Sequence, residues 1–134
     1  MAAAVSDDRW PTARRTQVLL LEDNTALARA VRWAVVACSE VTAVVTAAEA
    51  MACLDREWDA FVFDIGLPDG SGLDVLRRAR REQPDAAALA ISGSLRQEDV
   101  NAAFAMGAHY LAKPFQPEAL VEFLRRAGRR CKNT

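Results

Sequence analysis

Five times along the chain a strand-length apolar run is followed by a stretch of helical period, and this alternation constrains the fold more than any other feature. The runs are QVLLL from Gln17, then VTAVV, AFVF, AAALAI and HYLA; the helical stretches are residues 25–38, 47–56, 73–81, 97–106 and 117–130. QVLLL and AFVF are nearly continuous apolar segments, as expected of central parallel strands covered on both faces. Boundary chemistry agrees with the phasing. Thr46 with Glu49 reads as a capping box, Pro117 suits a first helical turn after Gln116, and Pro84 stops the third helix. Short connections between alternating strands and helices imply right-handed crossovers, hence an α/β fold: a (βα)5 doubly wound, five-stranded parallel sheet. Order 2-1-3-4-5 is the natural solution and puts the switch point between strands one and three, with ligands bound outside the carboxyl ends of the strands.

The chain of 134 residues, 51% hydrophobic and 26% charged, is sized and composed for one globular domain, which excludes a multidomain enzyme and a wholly disordered chain. The first sixteen residues carry charge, Pro11 and no periodicity, and read as a flexible N-terminal extension to a domain of residues 17–134. Lys and Arg number 17 against 18 Asp and Glu, so no global basic field gathers nucleic acid, and no direct nucleic-acid binding is expected. The basic residues Arg125, Arg126, Arg129, Arg130 and Lys132 complement a helix C-terminus. No apolar run approaches the ~20 residues of a membrane span, and the N-terminus lacks the basic and apolar regions of a secretion signal, so no membrane partner and a cytoplasmic location are expected. Cys38, Cys53 and Cys131 are odd in number and widely spaced, as for reduced thiols.

The carboxyl edge concentrates the chemistry. Strand one ends in Glu22-Asp23 and strand three in Asp64, so three carboxylates converge at the switch point. Two like charges ~4 Å apart repel by about 4 kcal/mol at an effective dielectric near 20, so the trio calls for a cation, and oxygen ligation of this kind suits Mg²⁺. Strand four delivers Ser92 to the same edge and strand five Lys113. Among basic residues written almost wholly as Arg, Lys113 and Lys132 are the exceptions; the first suits a site that needs a compact ammonium on a flexible stem. After Asp64, the run Ile65-Gly66-Leu67-Pro68-Asp69-Gly70-Ser71-Gly72 is a turn that lets backbone approach a ligand closely.

With the acidic pair in LLLEDN, Asp64 in FVFDIGLPDGSG, the hydroxyl in AISGS and the KPF turn after GAHYL, residues 17–130 resemble the receiver domain of two-component response regulators, which has a flavodoxin-like fold. The resemblance implies that Asp64 accepts a phosphoryl group from phosphohistidine on a sensor histidine kinase or a histidine phosphotransfer protein. It implies that Glu22, Asp23, Asp64 and the Gly66 backbone carbonyl hold Mg²⁺, that Lys113 and Ser92 meet phosphoryl oxygens, and that Ser92 and Tyr110 form the switch read by a downstream protein. It further implies a signalling domain with at most slow self-dephosphorylation, acting as a monomer or a weak phosphorylation-dependent dimer.

Gly66 and Glu22 depart from the commoner family residues and bear on how readily water reaches an acyl phosphate. His109, by strand alternation, points opposite to Tyr110 and is expected to be solvated. On helix one, Leu27, Val31, Ala34, Val35 and Cys38 form the expected buried arc; Trp33 faces away beside Arg29 and Arg32, a composition suited to docking a phosphodonor. Two other readings stand beside the receiver. An adaptor of the same fold would act by protein contact without phosphorylation. A haloacid dehalogenase-like phosphatase usually has a second Asp two residues after its nucleophile, where this chain has Gly66.

Overall fold

The computed structural model describes residues 15–67, 72–93 and 96–133. Most of the expected extension, residues 68–71 of the turn after Asp64, and the side chains of Arg129, Arg130, Cys131 and Lys132 lie outside the described residues. The strands are β1 (Thr16–Leu21), β2 (Ser39–Val44), β3 (Ala60–Asp64), β4 (Ala87–Ser92) and β5 (His109–Ala112). The helices are α1 (Thr25–Ala34), α2 (Ala47–Ala52, followed by a 3₁₀ turn at Cys53–Asp55), α3 (Gly72–Glu82), α4 (Gln97–Ala105) and α5 (Pro117–Asn133). All strand pairs are parallel and the order is β2-β1-β3-β4-β5, as the alternation predicts.

Strand alternation divides the core into two layers. Val18 and Leu20 of β1, with Val62, Leu89 and Ile91, face α1 and α5 and pack with Val31, Leu120 and Leu124. Leu19 and Leu21, with Phe61, Phe63, Ala88 and Ala90, face the other way against Ala50, Val75, Leu76, Ala79 and Ala103 of α2, α3 and α4. Side chains on successive residues of a strand point to opposite faces, so a strand buried twice must be apolar throughout. The capping box is present: Thr46 Oγ1 accepts the Glu49 N–H at 3.1 Å, and Glu49 Oε1 accepts the Thr46 N–H at 3.3 Å.

Helix α1 is shorter than its period implies. It ends at Ala34, where the Val35 N–H turns to the Val31 and Trp33 carbonyls and the Ser39 N–H reaches Val35 O at 2.9 Å. The consecutive β-branched residues Val35 and Val36 disfavour continuation. Of the expected arc, Val31 and Val35 are buried and Leu27 is half-buried, whereas Ala34 and Cys38 are exposed and Ala28 fills the core instead. Trp33 is 77% exposed, on the outer face as its position on the helix requires.

The amino ends of the strands are fastened by side chains. Asp59 Oδ2 accepts the Gln17 N–H at 2.8 Å, and Gln83 Oε1 accepts the Trp58 N–H at 2.9 Å while Nε2 donates to Leu54 O and Arg56 O. Arg15 donates to the carbonyls of Val36 and Ser39. Among the described residues no helix is long and apolar enough to cross a membrane.

At the carboxyl ends the tightest approach is made by Gly72, the first residue of α3. A Cβ there would lie 2.3 Å from the Asp64 carbonyl oxygen and 2.9 Å from Ile65 Cα, both backbone atoms. Overpacking a close contact typically costs about 1–3 kcal/mol, and here no flexible side chain can yield. Gly72→Ala is therefore expected to lower unfolding stability by about 2 kcal/mol or more in urea titration; stability equal to wild type would show that α3 does not seat on the end of β3.

Candidate functional site

Two adjacent strand ends supply the acidic centre. Glu22 and Asp23 follow β1 directly and Asp64 closes the neighbouring β3; one carboxylate oxygen from each lies within 4.8 Å of the others. Glu22 is fully buried, Asp64 is 4% exposed and Asp23 faces solvent. Backbone geometry fixes these positions: the Glu22 N–H extends the ladder to Val44 O at 3.0 Å, and the Ile65 N–H continues it to Ile91 O at 2.9 Å. Asn24 then turns the chain into α1, donating its N–H to Glu22 Oε2 at 3.0 Å and accepting the Leu27 N–H on its side chain at 3.1 Å.

Lys113 arrives from the end of β5. Its Nζ stands 2.8 Å from Asp64 Oδ2 and 2.8 Å from Glu22 Oε1, bridging two strands with one ammonium. The Lys113 N–H donates to Ser92 O at 2.8 Å, tying β5 to the end of β4, and the Lys113–Pro114 peptide is cis. A hollow of about 320 Å³ lined by Asn24, Leu27, Lys113, Pro114 and Phe115 opens beside the lysine. The sequence expectation that the trio needs a cation is thus met in part by the protein itself.

Burial pushes the Glu22 carboxyl above its ordinary range; the Lys113 contact and the Asn24 N–H pull it back, and the Asp64 charge adds to the rise. For Lys113, burial acts downward, but the hydrogen bond to Asp64 and the close contact and charge of Glu22 outweigh it and leave the ammonium held above its usual value. Lys113 is therefore a fixed positive charge at neutral pH.

With all three carboxylates ionised, one ammonium leaves two negative charges, the complement of a divalent cation. Glu22 Oε1 has Lys113 as a charge partner but receives no well-directed hydrogen bond, so a buried acceptor retains capacity for a further ligand. An all-oxygen set of this kind, part buried and part open to solvent through Asp23, fits Mg²⁺.

Gly66 sits against the acidic edge. Its N–H donates to Asp64 Oδ1 at 2.7 Å, and a Cβ at this position would stand 3.1 Å from Ser92 Oγ and 3.4 Å from Asp64 Oδ1. Ser92, fully buried, is therefore brought to the same place as Asp64 and Gly66. Tyr110 lies on β5, beside β4. The register pairs it with Ala90, two residues below Ser92, and its half-buried ring packs with the layer that holds α2, α3 and α4. His109 is exposed on the opposite face, its ring edge-on to Phe123 at 5.7 Å. Arg125 and Arg126 both pair with Glu122, which spends them within their own helix.

Two contributors escape sequence reasoning. Asn24 carries a readable signal, an N-cap residue directly after the acidic pair, yet its N–H bond to Glu22 does not follow from that signal. Gly72 has no local mark distinguishing it from the other glycines of the turn.

A family model described as the response regulator receiver domain matches residues 18–125. Response regulator SaeR of Staphylococcus aureus is 30% identical over 83 residues, 61% of this chain and 36% of SaeR. The chain thus spans about a third of the length of these curated relatives. A CheY-like receiver domain protein from Methanospirillum hungatei superposes with a TM-score of 0.81 at 26% identity, covering 90% of this chain and 99% of that one. A response regulator from Burkholderia pseudomallei, with a phosphorylated aspartic acid, calcium ion and citrate in its crystal structure, gives 0.75 at 23% identity and covers 88% and 71%. A family match of that extent, on a sheet of this order, establishes that the chain belongs to the response regulator receiver domains.

Proposed function

We propose that the chain is a phosphoacceptor, with Asp64 taking a phosphoryl group from a phosphohistidine on a sensor histidine kinase or histidine phosphotransfer protein. The observation that carries the reading is the Lys113 ammonium fixed against Asp64 beside two further carboxylates. One Asp64 oxygen forms the new P–O bond as the P–N bond to the donor imidazole breaks, and the imidazole leaves with the bonding pair. Lys113 meets charge on the transferring oxygens, and the Ser92 hydroxyl donates to another of them. Positioned donors of this sort carry most of the work in phosphoryl transfer. Glu22, Asp23, Asp64 and the Gly66 carbonyl would hold Mg²⁺, which when bound supplies charge neutralisation at the phosphoryl oxygens. The relative with a phosphorylated aspartic acid and a cation supports this assignment by analogy.

Switching follows from the same contacts. Once Ser92 is committed to the phosphoryl group, the region between β4 and β5 rearranges and Tyr110 turns inward, altering the surface offered to a downstream protein. The domain is a cytoplasmic signalling module with at most slow self-dephosphorylation, and monomeric or weakly dimeric on phosphorylation.

Incubation with Mg²⁺ and acetyl phosphate, read by intact mass, should give one phosphoryl adduct that Asp64→Asn abolishes. No adduct under conditions that label a control receiver would replace this reading with the adaptor. Mg²⁺ titration should show at least a ten-fold loss of affinity in Asp23→Asn, about 1.4 kcal/mol; unchanged affinity would remove Asp23 from the metal site. Trp33, with Arg29 and Arg32 exposed around it, offers a donor's helices an aromatic anchor in a cationic rim. Trp33→Ala is expected to slow transfer from the cognate protein donor several-fold while labelling by acetyl phosphate stays at the wild-type rate. Equal rates from both donors would dismiss a docking role, and equal losses would point to a structural one.

A further inference from the structure

Arg80, on the last turn of α3, ties that helix both to the connection leading into β4 and to the turn between α4 and β5. Its Nε donates to Met106 O at 3.1 Å, and Nη1 donates to Pro84 O at 3.0 Å and to Ala86 O at 2.9 Å. Met106 closes the C-terminus of α4, where helix carbonyls lack partners within the helix, and Ala86 leads directly into β4. The remaining nitrogen, Nη2, stands 3.0 Å from the position a Cβ on Gly107 would occupy, and Gly107 has φ of +83°, a conformation that favours glycine. The turn held in this way lies three residues before Tyr110, and Met106 and Tyr110 pack against the same core layer. At its other end α3 is seated on the Asp64 carbonyl through Gly72. One helix therefore touches the proposed phosphoacceptor at its first residue and grips the approach to β5 near its last turn.

We propose that Arg80 is a positioning residue for the switch: its guanidinium clamps the Met106–Gly107 turn to α3 and the start of β4, and so holds Tyr110 in its half-buried resting place. A planar guanidinium serves several carbonyls in fixed directions, which a lysine ammonium on a flexible stem does not reproduce. Arg80 acts through the backbone of the turn and touches no atom of the acidic centre. The proposal rests on the reading of Tyr110 as the switch residue, and coupling of this kind requires a direct measurement at the element said to move.

Tyr110 is the single tyrosine of the chain, so uniform labelling with 3-fluorotyrosine gives one ¹⁹F resonance that reports this ring. The experiment compares the full chain with Arg80→Lys and Gly107→Ala, without phosphodonor and then with Mg²⁺ and acetyl phosphate. Without donor, both variants should move the resonance away from its wild-type position or broaden it. Amide exchange at residues 107–110 should quicken at least ten-fold relative to residues 19–21 of β1. A resonance superimposed on wild type in either folded variant overturns the proposal. So does an acceleration spread evenly over β1 and residues 107–110, since that is loss of global stability and not release of a clamp. The donor arm separates the two readings: a wild-type resonance unmoved in a chain shown by mass to be phosphorylated removes Tyr110 as the switch, whereas the donor-free comparison tests the clamp alone.

Discussion

A single ammonium between two buried carboxylates organises the carboxyl end of this sheet. Glu22 and Asp64 end adjacent strands, and each would be unfavourable in its position alone, since burying an ion costs several kcal/mol even after relaxation. Contact at 2.8 Å with Lys113 is worth of order 6 kcal/mol per pair at an effective dielectric near 20, before side-chain ordering and partial exposure of the lysine reduce it. Attraction and desolvation thus nearly balance. The arrangement holds β1, β3 and β5 in register at their ends while leaving negative charge in excess.

That balance explains why the neighbouring positions are so restricted. Gly66 leaves room between Ser92 and Asp64 and aims its N–H at the carboxylate. Asn24 satisfies the second oxygen of Glu22 while it starts α1. Gly72 admits α3 against the very carbonyl of Asp64. Small side chains and backbone donors surround the charges because bulk would displace them and an unpaired polar group would add to the desolvation cost.

The layers and the acidic centre were legible in the sequence because both follow from local rules. A strand buried on two faces has to be apolar at every residue, so QVLLL and AFVF declare themselves; the residues just beyond such strands, Glu22, Asp23, Asp64, Ser92 and Lys113, then fall at one edge by topology alone. What the sequence concealed depends on contacts between distant segments. Arg80 is one arginine among several in LRRARRE, and nothing in that run announces bonds to Pro84, Ala86 and Met106. The place of Lys113 at this edge was legible, but its direct pairing with both Glu22 and Asp64 was concealed for the same reason. Helix α1 misled by its periodicity: the apolar spacing runs on to Cys38, but Val35 and Val36 end the helix first and leave Ala34 and Cys38 on the surface.

The fastening of the strands' amino ends by Asp59, Gln83 and Arg15 has a mechanical meaning. β1 and β3 are anchored at one pole and end at the other in charged tips, much as cantilevers do. The two tryptophans of the described residues, Trp33 near the end of α1 and Trp58 just before β3, both lie toward the anchored pole. Their fluorescence is therefore a gauge of the roots more than of the charged tips.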